Sequence, residues 1–197
     1  MDVQSLKFSN SNNIVINGVT SINSQMLHIV INRCHTNGIH VQMSTGVTIL
    51  NFKMSTGDEY VSIVPQTANL WIEDVAFGPG HSISIGSLRK DSEEESVQNV
   101  TVKMAIFTGS QNEVRIKSWA RPSTRLVRDI LFQHAVMVNV ENPIMIDQNY
   151  SPDNKDCPGQ ESGVKISAVI YQDIYGTSAT PVAVKFDCNS KFPCTSI

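Results

Sequence analysis

Two carboxylates stand side by side at Asp58 and Glu59, in the turn Thr56-Gly57-Asp58-Glu59-Tyr60. Adjacent carboxyl groups whose surroundings differ can divide into an acid and a base. A pair of carboxyl groups across a glycosidic bond is what sugar hydrolysis requires. Further along, Arg115 and Lys117 flank Ile116. On a strand, side chains two residues apart share a face, so the two cations point the same way and suit an anionic ligand such as an acidic sugar. His81, after Gly78-Pro79-Gly80, can orient a carboxylate or tune its proton affinity. Asn37, in His35-Thr36-Asn37-Gly38, completes the polar segments. Taken singly, each has a plainer reading as a solvated turn or an ordinary strand surface. The charge run Lys90-Asp91-Ser92-Glu93-Glu94-Glu95 reads as a solvated loop.

The elements that must hold these residues repeat. A small polar residue or glycine is followed by a short apolar alternation at Asn13-Ile14-Val15-Ile16, Gly46-Val47-Thr48-Ile49 and Asn69-Leu70-Trp71-Ile72. The pattern returns at Asn99-Val100-Thr101-Val102, Asp129-Ile130-Leu131-Phe132 and Gly163-Val164-Lys165-Ile166. The interval is roughly 23 to 34 residues, in the range of solenoid repeats. Each unit carries a second strand: Tyr60–Ile63, Ser82–Ile85, Val114–Lys117, Pro143–Ile146 and Val182–Lys185, all with period-two alternation. No segment shows a helical apolar period. A β-sandwich would use two-residue hairpins. The longer connections here favour a right-handed parallel β-helix, in which equivalent strands of successive coils stack into sheets. One sheet would then present a row of outward side chains, placing Asn37, Asp58, Glu59, His81, Arg115 and Lys117 along one groove. Such a groove suits a linear polymer.

Composition sets the limits. The chain has 197 residues and a mass of 21.7 kDa, 41% of them hydrophobic and 17% charged, enough to bury a core as a single domain over 1–197. With a formal charge of -3, a nucleic-acid footprint is not expected. No apolar run is long enough for a transmembrane helix. Met1–Phe8 lacks the basic start and apolar run of a signal peptide. No metal site and no cofactor are expected. Of four cysteines, Cys188 and Cys194 are spaced as a small looped disulfide, which implies an oxidising compartment; two reduced thiols are the alternative. Cys34 and Cys157 have no obvious partners. Asn99-Val100-Thr101 and Asn149-Tyr150-Ser151 are sequons that matter only if the chain is secreted.

The segments Gly57-Asp58-Glu59, Gly78-Pro79-Gly80-His81-Ser82-Ile83-Ser84-Ile85-Gly86-Ser87 and Arg115-Ile116-Lys117-Ser118-Trp119 resemble plant polygalacturonases. The resemblance runs from Ser5-Leu6-Lys7-Phe8 to Pro193-Cys194. It takes in Asn69–Glu73, Phe132–Ala135, Asp147–Tyr150 and Val184–Cys188. It implies an all-β, right-handed single-stranded parallel β-helix of the pectin lyase-like kind. It also implies inverting hydrolysis of α-1,4-galacturonosyl linkages in pectin by a secreted, monomeric cell-wall enzyme with no membrane partner. The first aspartate of the family's Gly-Asp-Asp, its general acid, matches Asp58. Glu59 stands at the second, which helps activate water. Asn37 stands at the aspartate of Asn-Thr-Asp, which helps position that water, and His35 stands at its neighbouring asparagine. The family histidine matches His81. Arg115 and Lys117 match its cationic pair, implied to bind galacturonate carboxylates. Pectate lyases share the fold but need calcium clusters and a basic elimination catalyst, and the Gly-Pro-Gly-His and Arg-Ile-Lys segments point away from them.

The departures have physical weight. An amide has no basic lone pair, so Asn37 cannot share the base role. Glu59 reaches one methylene farther, and a misplacement of about 1 Å can cost on the order of a hundredfold. One fewer carboxylate also relaxes the pressure that keeps the acid protonated. Hydrolysis is therefore expected to be impaired, and a non-catalytic pectin-binding or degenerate protein is the alternative. Tyr60 and Phe77 replace both halves of one bridge that the resemblance implies, Ser151 replaces one half of another and leaves Cys157 unpaired, and Cys188–Cys194 corresponds to the last. The family has additional residues before its Thr-Asp-Gly, whereas here residues 32–37 join the strands 28–31 and 38–41 directly. Parallel neighbours need a crossover of about a dozen residues. Residues 1–34 are thus expected to be displaced or poorly ordered. Relatives roughly twice as long are implied, so the β-helix is expected to be incomplete at both ends, without the caps that solenoids need.

Overall fold

The computed structural model describes residues 6–8, 13–22, 29–31, 38–55, 59–88, 96–151 and 162–197. Its strands form two sheets. The short-strand sheet runs in the order β1 (Leu6–Phe8), β4 (Ile29–Ile31), β5 (Ile39–Val41), β7 (Val61–Ile63), β9 (Ile83–Leu88), β11 (Asn112–Trp119), β13 (Asn142–Tyr150) and β15 (Val184–Asp187). The long-strand sheet runs β14 (Lys165–Ser178), β12 (Leu126–Val140), β10 (Val97–Thr108), β8 (Thr67–Phe77), β6 (Thr45–Ser55) and β2 (Val15–Asn17), with β3 (Thr20–Ile22) also paired to β6. Every pairing among the described strands is parallel, and no helix occurs among the described residues. The chain is a right-handed parallel β-helix.

The long strands are bent, and the bends have a residue-level cause. Two positions in each coil adopt the left-handed conformation. One stacks as Asn13, Gly46, Asn69, Asn99, Asp129 and Ala168; the other as Gly18, Asn51, Asp74, Met104, His134 and Asp173. Glycine, asparagine and aspartate tolerate this conformation best, and each such residue turns the chain through one corner of the coil. Side-chain amides bond at these corners, from Asn99 Nδ2 to Asn69 Oδ1 at 2.6 Å, and from Asn51 Nδ2 to Oδ1 of Asn17, the residue before the Gly18 corner, at 2.8 Å. The polar residue that opens each apolar alternation in the sequence is thus a corner. The last unit differs. Register places Ala168, not Gly163, opposite Asp129. Gly163 instead lies against Ser123, where a Cβ would stand 2.2 Å from the Ser123 nitrogen.

Inside, like residues stack on like: Val47, Leu70, Val100, Ile130 and Val169 form one buried row. Aromatic rings stack as well, Tyr60 on Phe77 at 4.8 Å, Phe77 on Phe107 at 5.7 Å and Phe132 on Tyr171 at 5.3 Å. Tyr60 and Phe77, the positions where the sequence comparison implied a lost bridge, therefore still meet, as rings.

The start of the chain differs from the crossover argument. β4 pairs with β5 in parallel, Ile29 opposite Ile39 and Ile31 opposite Val41, and β1 pairs with β4. A crossover of a dozen residues is needed when strands have ordinary length. These strands have three residues, roughly 10 Å of chain, and the seven residues 32–38 can span about 23 Å. Residues 1–5, 9–12, 23–28 and 32–37 lie outside the described residues.

At the other end, the disulfide Cys188–Cys194, with Cα atoms 5.8 Å apart, closes a loop. The tail beyond it pairs with the outer edge of β14: Thr195 N donates to Ile166 O, and Ala168 N and Val169 N donate to Thr195 O and Ser196 O. Past that point Ile170, Tyr175, Val184 and Phe186 are exposed.

Candidate active site on the short-strand sheet

The short-strand sheet aligns one row of side chains across the coils: His40, Ser62, Ser84, Arg115, Met145 and Lys185. His40, Ser62, Ser84 and Met145 are buried in that row. Glu59 enters just before β7. Its carbonyl accepts from Gly38 N at 2.7 Å, and Tyr60 N donates to Ser82 O at 3.0 Å, so backbone bonds on both sides fix the residue. Gly38 is required there, because a Cβ would stand 2.8 Å from the Tyr60 carbonyl oxygen.

Lys117 reaches Glu59 from two coils away. Its Nζ and Glu59 Oε1 form an ion pair, and the two side chains are only 8% and 10% exposed. Gly86 makes the crossing possible. It adopts φ +117, and a Cβ there would meet the Lys117 carbonyl oxygen at 2.1 Å and Lys117 Cγ at 3.0 Å. Arg115 is held more loosely, with Nη2 3.7 Å from Asp147 Oδ2 and Nε without a hydrogen-bond partner. Asp147 stands above the usual carboxylate range, because burial outweighs the attraction of Arg115. Tyr150 serves both cations: Arg115 Cζ lies 4.9 Å and Lys117 Nζ 5.1 Å from its ring centre. Trp119 meets Tyr150 edge-on at 6.0 Å, and Arg121 lies 5.5 Å over Trp119. Cations over aromatic faces are attracted by the ring quadrupole.

Of the residues singled out in the sequence, the structure brings Glu59, Arg115 and Lys117 together. His81 is half-buried at the entry to β9, with no ion pair or hydrogen bond to those three among the described residues. Asn37 and Asp58 lie outside the described residues, as do Cys34, Cys157 and Lys90–Glu95. Both sequon asparagines are exposed, Asn99 bonded to Asn69 and Asn149 Nδ2 to Asp187 Oδ1 at 2.8 Å. Asp147 and Tyr150 were not singled out as site residues. The register could have found them, since β13 is the neighbour of β11 and places Asp147 opposite Lys117 and Tyr150 opposite Trp119.

Under this patch, Glu113, Ser110 and Tyr60 form a buried polar cluster. Burial pushes the Glu113 carboxyl up to about 8, offset in part by the nearby Ser110 hydroxyl. Tyr60 is raised by burial and then by the Glu113 charge.

A buried carboxylate, two cations and an aromatic face on one sheet can hold an acidic sugar and direct water at it. Residues 2–197 match Glycosyl hydrolases family 28. The chain belongs to that family. It is 64% identical to a polygalacturonase from Prunus persica over 209 aligned residues, covering 98% of this chain and 53% of that protein. It is 40% identical to an exopolygalacturonase from Arabidopsis thaliana, covering 98% of this chain and 47% of that one. This family 28 chain thus spans about half the length of the curated relatives it matches. Among solved structures, a polygalacturonase from Erwinia carotovora superposes with a TM-score of 0.64 at 26% identity, covering 91% of this chain and 59% of that one. An endo-xylogalacturonan hydrolase from Aspergillus tubingensis has the same fold, with a TM-score of 0.72 at 20% identity, covering 97% and 58%.

Proposed function

We propose that this chain is a polygalacturonase-type glycoside hydrolase, acting on α-1,4-galacturonosyl linkages of pectin with inversion, whose turnover is lowered by its own substitutions. The observation that carries the reading is the convergence of Glu59, Arg115, Lys117 and Tyr150 on one patch of a family 28 β-helix. In this scheme Asp58 gives its proton to the glycosidic oxygen as the bond to the anomeric carbon breaks. Water adds to the opposite face of that carbon and loses a proton to Glu59. Arg115 and Lys117 bind uronate carboxylates, and His81 supports the carboxylates from the next coil. Asn37 holds the water by hydrogen bonds but takes no proton. The resemblance to secreted wall enzymes supports a cell-wall location and polygalacturonate as the ligand.

A pectin-binding protein without turnover is the second reading, favoured by Glu59 and Lys117 engaging one another. Reducing-end release from polygalacturonate, set beside a binding measurement, separates the two. The expected outcome is binding with release slower than ordinary polygalacturonases by on the order of a hundredfold. Asn37→Asp combined with Glu59→Asp should raise that rate. Ordinary turnover would remove the impairment, binding with no release would establish the second reading, and neither binding nor release would end both.

A further inference from the structure

The two groups that the proposed mechanism needs apart are found together. Glu59 must face a water at the reacting carbon, and Lys117 must face a ligand carboxylate, yet their side chains form a nearly buried ion pair. Arg115, two residues earlier, is differently placed: its contact to Asp147 is 3.7 Å, and its Nε has no hydrogen-bond partner. Both cations thus stand against a carboxylate, Arg115 loosely against Asp147 and Lys117 directly against Glu59. The reach is built in. Gly86 leaves the space over which Lys117 crosses, and glutamate extends one methylene beyond an aspartate.

We propose that Glu59 is a displaceable internal substitute for a ligand carboxylate, so that binding of a free uronate is an exchange of carboxylates on Lys117. This rests on reading the groove as a galacturonate site. A galacturonate unit engages Arg115, its carboxylate takes the place of Glu59 on Lys117, and Glu59 swings toward the water that it must activate. No bond is made or broken and no proton moves in this step. Lys117 keeps a counter-charge throughout, which matters because an uncompensated charge in a site this buried is strongly unfavourable. A methyl-esterified unit carries no charge and cannot make the exchange. Glu59 thereby sets a preference for unesterified sugar and couples release of the base to arrival of the correct ligand.

Calorimetric titration with the galacturonic acid trimer and with its methyl ester tests this on the full chain. Glu59→Gln removes the competing charge and keeps the shape. It should bind the acid about tenfold tighter, the scale of one hydrogen bond to a charged group, with affinity for the ester unchanged. Glu59→Asp, which keeps the charge and shortens the arm, should fall between the two and carries the test if the glutamine variant does not fold. Lys117→Met should reduce the difference between acid and ester to what Arg115 alone supplies, and make it the same with or without Glu59→Gln. Equal acid affinity in wild type and both Glu59 variants overturns the exchange while leaving the groove reading intact. Parallel changes for acid and ester reduce Glu59 to a structural role and also overturn it. Absence of binding in every form overturns the groove reading, and the exchange with it.

Discussion

Beneath the groove, Glu113 is fully buried and neither of its carboxyl oxygens has a hydrogen-bond partner. It is protonated in the folded state up to about pH 8, against an ordinary value of 4.5. Between those values the folded chain binds the extra proton and the unfolded chain does not. Stability is therefore greatest below about pH 4.5 as far as this group is concerned, and falls as pH rises through about 8. Glu113→Gln should flatten this slope and raise the melting temperature at pH 8 relative to pH 5. Thermal melts at the two pH values check it, and an unchanged slope would place the pH dependence elsewhere. Arg115 and Lys117 were legible in the sequence as one face because period-two alternation is local. The partnership of Lys117 with Glu59 was not, because it crosses two coils over a glycine whose role is to be absent of side chain. Glu113 was missed for a related reason: an acid opening a strand reads as solvated until the next coil covers it.

At the scale of the element, the stacked corners explain why so much of the fold could be read. Asn13, Gly46, Asn69, Asn99 and Asp129 mark the left-handed turns that open each apolar alternation, so a residue-type signal and a backbone requirement coincide. Reading failed at the last coil, where Ala168 occupies the corner and sends no such signal. Met104 is the outlier of its row. Glycine, asparagine, aspartate or histidine stands at every other described position, and Met104 is exposed at φ 54. The left-handed conformation costs an ordinary side chain about 1–2 kcal/mol. Met104→Asn should recover part of that, raising the melting temperature by roughly 2–4 °C for about 1 kcal/mol in a chain of this size. A melting temperature unchanged or lowered would mean that Met104 gains more from its surroundings than the corner loses.

For the whole molecule, backbone pairing joins each coil only to the coil before and the coil after, with Lys117–Glu59 a side-chain contact that skips one, so stability should be distributed mainly by neighbours. The chain's last turn shows how an edge is closed: the tail at Thr195 and Ser196 accepts the Ala168 and Val169 amides, and the Cys188–Cys194 bond holds that tail in place. Reducing the disulfide should accelerate hydrogen exchange at Ala168 and Val169 on the order of tenfold, a fraction of the stabilisation a small closed loop provides. The amides of β8 and β10 should be unaffected. Uniform acceleration throughout would show that the solenoid unfolds as one unit. The row from His40 through Ser62, Ser84, Arg115 and Met145 to Lys185 has a further consequence, because parallel strands sit about 4.8 Å apart. The sheet is graduated like a ruler, one mark per coil. On the proposed function, a chain-like ligand lying along it would be measured in whole marks, so that adding or removing a coil would change how long a stretch is gripped and leave the chemistry at every other mark as it was.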